Sequence, residues 1–548
     1  MKLIKLSIIF ILFVLAANAQ DKLPIIKSNT NVISIQDGEV FKKDSWTLAP
    51  DAKPDIYDTT VKKGAKKKVT FITDSDKISF DVEAGKTYDF IVQKGETMCY
   101  TQIKANELFF WNDSNFWESP SMKTPYRPNL SDEEKIAGLS KFWSEAKYNF
   151  INFPLVPDLD WDKTYLEFIP KVLATKSTLE YYQVMQMFCS KLKDGHTNVY
   201  FPAALSDEVS QRPAIRTRLI EDKVIIVRIL DEKLKNEGLA IGQEITEIDG
   251  LPVKKYAEEK VLPYVGESTP QSLDTRVYEY NLLLGALAKP VELTIKDLKG
   301  NIFKKTLLRI SGAEQSKMIT PRPAFEMEML SGNIALVKVN TMVDEEKADK
   351  MFADKFAEIS KADALILDLR NNGGGSSGVG YHILSFLVNQ SFKQSKWFTR
   401  EYHPAFRPWG RSEKSFGDEN AFEYNLEAIK KMRGENIEPF LKPLIVLSSP
   451  RTFSAAEDFL VAFKPLKRGL IIGEPSGGST GQPLVISLPG GGMARICSKH
   501  DLFPDGTEFV GVGVVPDILA TPKVSDFVEN KDAVLEIALK ELAKSLKK

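Results

Sequence analysis

From about residue 313 onward the chain alternates between strand and helix patterns, and this limits what it can fold into more than any other feature. "NIALVKVNTM" reads as a strand and "EEKADKMFADKFAEISKA" as an amphipathic helix. "DALILDLR" reads as a buried strand, "VGYHILSFLVN" as a helix and "KPLIVLSS" as another buried strand. Such a succession implies crossover units on a largely parallel sheet covered by helices. In sheets of this kind, sites form at the carboxyl ends of strands. "NNGGGSS" follows the first buried strand there, and "PRTFSAAE" follows the second.

With 548 residues the chain exceeds one hydrophobic core, and several domains are expected. "MKLIKLSIIFILFVLAANAQ" has lysines at 2 and 5, an apolar run from Leu6 to Ala17 and an A-x-A ending at Ala19. It predicts a signal peptide over residues 1–19, hence an exported, periplasmic or secreted protein with no integral membrane segment after cleavage. Residues 20–125 read as a β-rich domain of short strands, with Ala84-Gly85-Lys86 at a hairpin. Residues 126–206 read as a helical subdomain, opened by Ser131, Asp132 and the acids after them. Strand alternation returns over 207–312, with turns at Asp249-Gly250 and Lys299-Gly300-Asn301, and 313–548 form the α/β core.

A formal net charge of −1 supplies no overall field for nucleic acid, which is not expected as a partner. The basic run "KKGAKKK" (62–68) reads as a solvated loop. Cys99, Cys189 and Cys497 match no metal or redox spacing and read as buried free thiols; no metal site and no cofactor are expected.

Three consecutive glycines in "DLRNNGGGSSG" let backbone N–H groups face a ligand, as phosphate cradles and oxyanion holes require. The nucleotide-binding pattern G-x-x-x-x-G-K-[ST] is absent. Of the four histidines, His382 lies among apolar helical neighbours and His403 reads as loop. His196, in "KDGHTNVY", sits where a helix ends and a strand begins, a place for an oriented imidazole base. Ser454, with Glu457 three residues later, has the form of a capping box. A serine fixed at a helix N-terminus also suits nucleophilic attack.

Over about residues 130–525, the order "LKDGHTNVY", "GLAIGQEITEIDGLPV", "ALILDLRNNGGG", "PLIVLSSPRTFSAAEDFLVAF", "IIGEPSGGSTGQ" and "GVGVVPDI" resembles the carboxyl-terminal processing proteases. Their superfamily includes the tricorn-core proteases and the retinoid-binding-protein repeats. The resemblance implies an α/β fold: a crotonase/ClpP-like core with a PDZ-like insert, a helical N-terminal subdomain and an additional N-terminal β-domain. It implies Ser454 as nucleophile and N–H groups of Gly373, Gly374 and Ala455 as the oxyanion hole. The processing proteases carry a base lysine in a G-x-x-x-x-G-K stretch; here Ser479 stands in its place. The tricorn-like branch uses a histidine at the helix-to-strand junction, where this chain has His196. That branch has a serine before the histidine, here Gly195, and a glutamate where this chain has Val510. Glu508, two residues earlier, is the carboxylate expected to orient His196. The function implied is a serine endopeptidase acting on peptide or protein substrates. The alternatives are a non-catalytic binding protein for peptides or apolar ligands on the same fold, and a partner-holding scaffold.

Overall fold

The computed structural model describes residues 118–548, apart from Asp344, 411–413, 418–420 and Lys548, and before them the backbone of eight strands between Ile25 and Gln102. The expected signal peptide lies outside the described residues. The chain divides into two compact units, Met1–Ser119 and Pro120–Lys548.

In the first unit, five strands pair in the order Lys42–Asp44, Asp55–Asp58, Ile25–Ser28, Thr87–Gln93, Glu96–Gln102, and Ser34–Gln36, Lys66–Ile72 and Lys77–Glu83 form a second sheet. Pairing is antiparallel except between Ile25–Ser28 and Thr87–Gln93. The strands flanking residues 84–86 belong to different sheets, and the turn expected at Ala-Gly-Lys itself lies outside the described residues. The basic run is not a loop throughout. A strand starts at Lys66, and its register sets Lys66 opposite Glu83 and Lys68 opposite Asp81. Cys99 lies on the Glu96–Gln102 strand.

The second unit opens with three helices, Asp132–Asn149, Trp161–Ala174 and Thr178–Cys189. A reciprocal cap between Ser131 and Glu134 starts the first. Phe142, Trp161 and Phe188 pack between them, with the last two rings stacked at 4.3 Å. The same core takes in Ile486, Leu488, Ala494 and Ile496 from the strands Pro483–Leu488 and Gly492–Cys497, so the helices are not a free-standing layer. Cys189 and Cys497 are buried, free thiols within it.

Strands Ile215–Ile220, Lys223–Ile229, Glu244–Ile248, Val291–Lys296 and Ile302–Leu307 form an antiparallel sheet with its own apolar core. Asp249 and Gly250 both take positive φ, as a tight turn between strands requires.

Six strands make the central sheet: β1 (Phe325–Leu330), β2 (Ile334–Val339), β3 (Ala364–Asp368), β4 (Leu444–Ser448), β5 (Leu470–Gly473) and β6 (Ile518–Leu519), adjacent in that order. Only the β1–β2 pair is antiparallel. Every residue of β3 and β4 is buried, because alternate side chains serve opposite cores. Leu365, Leu367 and Val446 pack under α1 (Glu345–Ile359), α2 (Ser377–Ser385) and α3 (Ala455–Phe463). Ala364, Ile366, Ile445 and Leu447 pack against α4 (Ala533–Leu546). Since β3 and β4 pair in parallel, the glycine loop after one and the Ser454 segment after the other emerge side by side. No helix among the described residues is long and apolar enough to cross a membrane.

Candidate active site

Ser454 precedes α3 with φ 56° and ψ −128°, a conformation that a non-glycine residue adopts only under constraint. The constraint is visible. Its N–H lies 3.2 Å from the Ser479 carbonyl and 3.1 Å from Glu457 Oε2. One half of the expected capping box is thus present, the Glu457 carboxylate on the serine N–H. The Ser454 hydroxyl takes a different partner, His196 Nε2, at 3.1 Å. The two residues stand 258 positions apart in the chain.

His196 is 4% exposed. The helix before it ends on Lys193 in the left-handed region, and the strand Asn198–Tyr200 begins just after it. Asp194 fixes the turn by accepting from the His196 N–H (2.9 Å) and the Thr197 hydroxyl (2.8 Å). The imidazole lies flat on Phe453, ring centres 4.8 Å apart and planes 6° apart. Its Nδ1 meets Ser479 Oγ at 2.8 Å. With Nδ1–H donated to Ser479, Nε2 has a lone pair for the Ser454 hydroxyl. Burial, with Arg495, Arg276 and Lys499 adding to it, pulls the imidazole down to about 3, so the ring is neutral at pH 7.

Glu508 does not stand behind His196 as expected. Its side chain is 56% exposed and accepts from His500 Nε2 at 2.8 Å. The displacement has a local cause: Glu508 bridges to Leu502, beside the strand Lys499–Leu502 that carries His500. From there the network continues. His500 Nδ1 meets Asn152 Oδ1 at 2.6 Å, and Asn152 Nδ2 donates to Asp194 Oδ2 at 2.9 Å. Glu508 therefore connects to the backbone turn beneath His196 and not to its ring. The group on the ring is Ser479, noted in the sequence only for its place in the lysine position.

The three expected oxyanion donors also separate. Gly374 N–H donates to Asn372 Oδ1 at 2.9 Å and is already engaged. Neither Gly373 nor Ala455 N–H finds an acceptor among the described residues. Gly374 has another use. At φ +97° it passes so close to Ser454 that a Cβ there would lie 2.8 Å from Ser454 Cβ and 2.9 Å from Ala455 N.

Glu457, fully buried, gathers the loop after β5. Besides the Ser454 N–H it accepts from Ser476 Oγ (2.6 Å), Gly478 N–H (2.7 Å) and Ser479 N–H (3.1 Å). Burial pushes its carboxyl up to about 8, against the pull of these four donors. This shell was legible only as a cap in the sequence. The residues meet in a cleft of about 550 Å³ containing His196, Ser454 and Gly373. Cavities of about 540 and 770 Å³, where the helices meet the 215–307 sheet, hold neither Ser454 nor His196. Among the described residues no group of histidine, cysteine and acidic side chains could hold a metal ion.

Known proteins share this arrangement of elements. Mature CPAF, a solved structure, superposes with a TM-score of 0.58 at 16% identity, over 75% of this chain and 98% of that one. A "C-terminal processing peptidase, chloroplastic" from Tetradesmus obliquus is 25% identical over 308 residues, 56% of this chain and 58% of the relative. A "Carboxy-terminal-processing protease" from Bartonella bacilliformis is 31% identical over 94 residues, 17% of this chain and 22% of the relative. The chain thus spans less than two thirds of the length of these curated relatives. The model of peptidase family S41 matches residues 333–520, from β2 to the end of β6 and the helices between.

Proposed function

We propose that the protein is a serine peptidase in which Ser454 is the nucleophile and His196 the general base. The observation that carries this reading is the 3.1 Å contact between Ser454 Oγ and His196 Nε2, at a helix start whose first N–H, that of Ala455, has no acceptor among the described residues. Ser454 Oγ attacks the scissile carbonyl carbon while its proton passes to Nε2. The carbonyl oxygen takes the negative charge and accepts from Ala455 and Gly373 N–H, aided by the positive end of α3. Collapse breaks the C–N bond, and the proton on Nε2 leaves with the amine. Water then attacks the acyl-serine, giving its proton to Nε2, and Ser454 departs with a proton as the acid is released. Ser479, accepting from Nδ1–H throughout, holds the ring in the tautomer that both steps need.

The signal-peptide pattern at residues 1–19 supports an exported location for this activity. The antiparallel 215–307 sheet supports a PDZ-like module that recruits extended peptide by strand addition. The test is covalent labelling with a fluorophosphonate probe. Wild type labels at Ser454, whereas Ser454→Ala and His196→Ala do not. Folded wild type that resists the probe and binds apolar ligands tightly favours a non-catalytic binding protein.

A further inference from the structure

The cleft around Ser454 carries one sign of charge. Arg276, Arg451 and Arg495 line it, and among the described lining residues there is no aspartate or glutamate. Two of these guanidiniums are neutralised from behind. Arg276 Nε donates to Glu267 Oε1 at 2.8 Å, and that carboxylate is buried. Arg451 Nη1 donates at 2.9 Å to Glu279, which also pairs with Arg218.

Arg495 is different. Its Nε donates to Asn198 Oδ1 at 2.7 Å and its Nη2 to the Gly195 carbonyl at 3.3 Å, both neutral acceptors. Its guanidinium carbon lies 5.7 Å from the Tyr200 ring centre. It forms no ion pair among the described residues. A guanidinium has five N–H donors in a planar fork, so this one keeps charge and donors to spare. It does so beside the carbonyl that precedes His196.

We propose that Arg495 binds a carboxylate of the substrate near the scissile bond, so that the cleft selects acidic peptides. The inference rests on the peptidase reading of Ser454 and His196. A fork pairing with a carboxylate gives both orientation and charge matching. It also serves the chemistry, because an anion on Arg495 offsets part of the positive field that disfavours the His196 imidazolium. The carboxylate has two sources, an Asp or Glu side chain or the peptide's own C-terminus.

The test uses the full chain carrying Ser454→Ala, which cannot turn substrate over, and random hexapeptides made once as free acids and once as C-terminal amides. The bound fraction is sequenced by mass spectrometry. Asp and Glu enriched about tenfold in the amide pool identifies the side chain as the source. Retention of the free acids with loss of the amides identifies the C-terminus. Adding Arg495→Gln abolishes either preference, and Arg495→Lys restores part of it. Equal binding of both pools without acidic enrichment overturns the proposal, as does a preference that survives Arg495→Gln. If Arg495→Gln does not fold, the pool comparison on Ser454→Ala alone decides. Fluorophosphonate labelling of wild type reads the peptidase assignment separately. Labelling without acidic preference removes only the carboxylate inference. Acidic binding without labelling removes the peptidase reading and leaves an anion-binding cleft.

Discussion

The ring of His196 is backed by a hydroxyl, and two measurable consequences follow. Ser479→Ala removes the acceptor of Nδ1–H in a fully buried place, so the working tautomer and ring orientation lose their support. We expect kcat to fall on the order of tenfold to a hundredfold with KM within about twofold. An unchanged kcat would show that packing on Phe453 suffices to hold the ring. The second consequence concerns pH. Free imidazole protonates near 6.5, whereas His196 is pulled down to about 3, so its base form persists well below neutrality. The rate of fluorophosphonate labelling, followed from pH 7 downward and so below the range near 8 in which the Glu457 carboxyl titrates, should stay level through pH 6 and decline only as His196 protonates. A midpoint near 6.5 would mean that the imidazole is not desolvated. Ser454 and His196 are legible as candidates in the sequence because each sits at a recognisable break, one before a helix and one after. Ser479 escaped because its role is a contact across 283 residues, and nothing in "GGSTG" states which hydroxyl meets an imidazole.

Between elements, the decisive contact is the glycine loop after β3 against the start of α3. Gly374 is required there by sterics: a methyl group at that position would meet Phe453 O at 2.7 Å as well as Ser454 and Ala455. Backbone atoms cannot yield as a flexible side chain does, and φ +97° is itself unfavourable for alanine. Gly374→Ala is therefore expected to displace Ser454 and abolish labelling, whereas Gly373→Ala, with nothing within 4 Å of its added methyl group, should remain labelled. Equal labelling of the two variants would refute the close approach. The alternation of "DALILDLR" and "KPLIVLSS" with helices made the parallel sheet readable, because strands buried on both faces carry continuous apolar runs. The engagement of Gly374 by Asn372 was not readable. In the triplet "GGG" the three N–H groups differ only in where the backbone turns them.

At the scale of the whole second unit, the 215–307 sheet region does more than adjoin the cleft: a segment between its strands grips the loop that carries Ser479. Ser268 Oγ donates to the Gly478 carbonyl at 2.8 Å, and Thr269 Oγ1 to the Gly477 carbonyl at 2.7 Å. Gln271 Nε2 donates to the carbonyls of Ser476 (3.0 Å) and Val512 (2.8 Å). On the other side, Glu457 takes the N–H groups of Gly478 and Ser479. The loop is thus held by its carbonyls from one region and by its amides from another, and the position of Ser479 depends on both. Removing two carbonyl clamps with Ser268→Ala and Gln271→Ala costs about 1 kcal/mol each. Because those clamps act on the loop directly, most of that cost should fall on loop placement. The double variant should therefore label about tenfold more slowly than wild type. Its melting temperature should fall by only a few degrees, as expected for a loss of that size in a large domain. Ser479→Ala supplies the control. If the clamps act through Ser479, adding them to Ser479→Ala should slow labelling much less than adding them to wild type, since coupled changes do not add. Full additivity would place the effect of the sheet region elsewhere in the cleft, and would separate it from the orientation of His196.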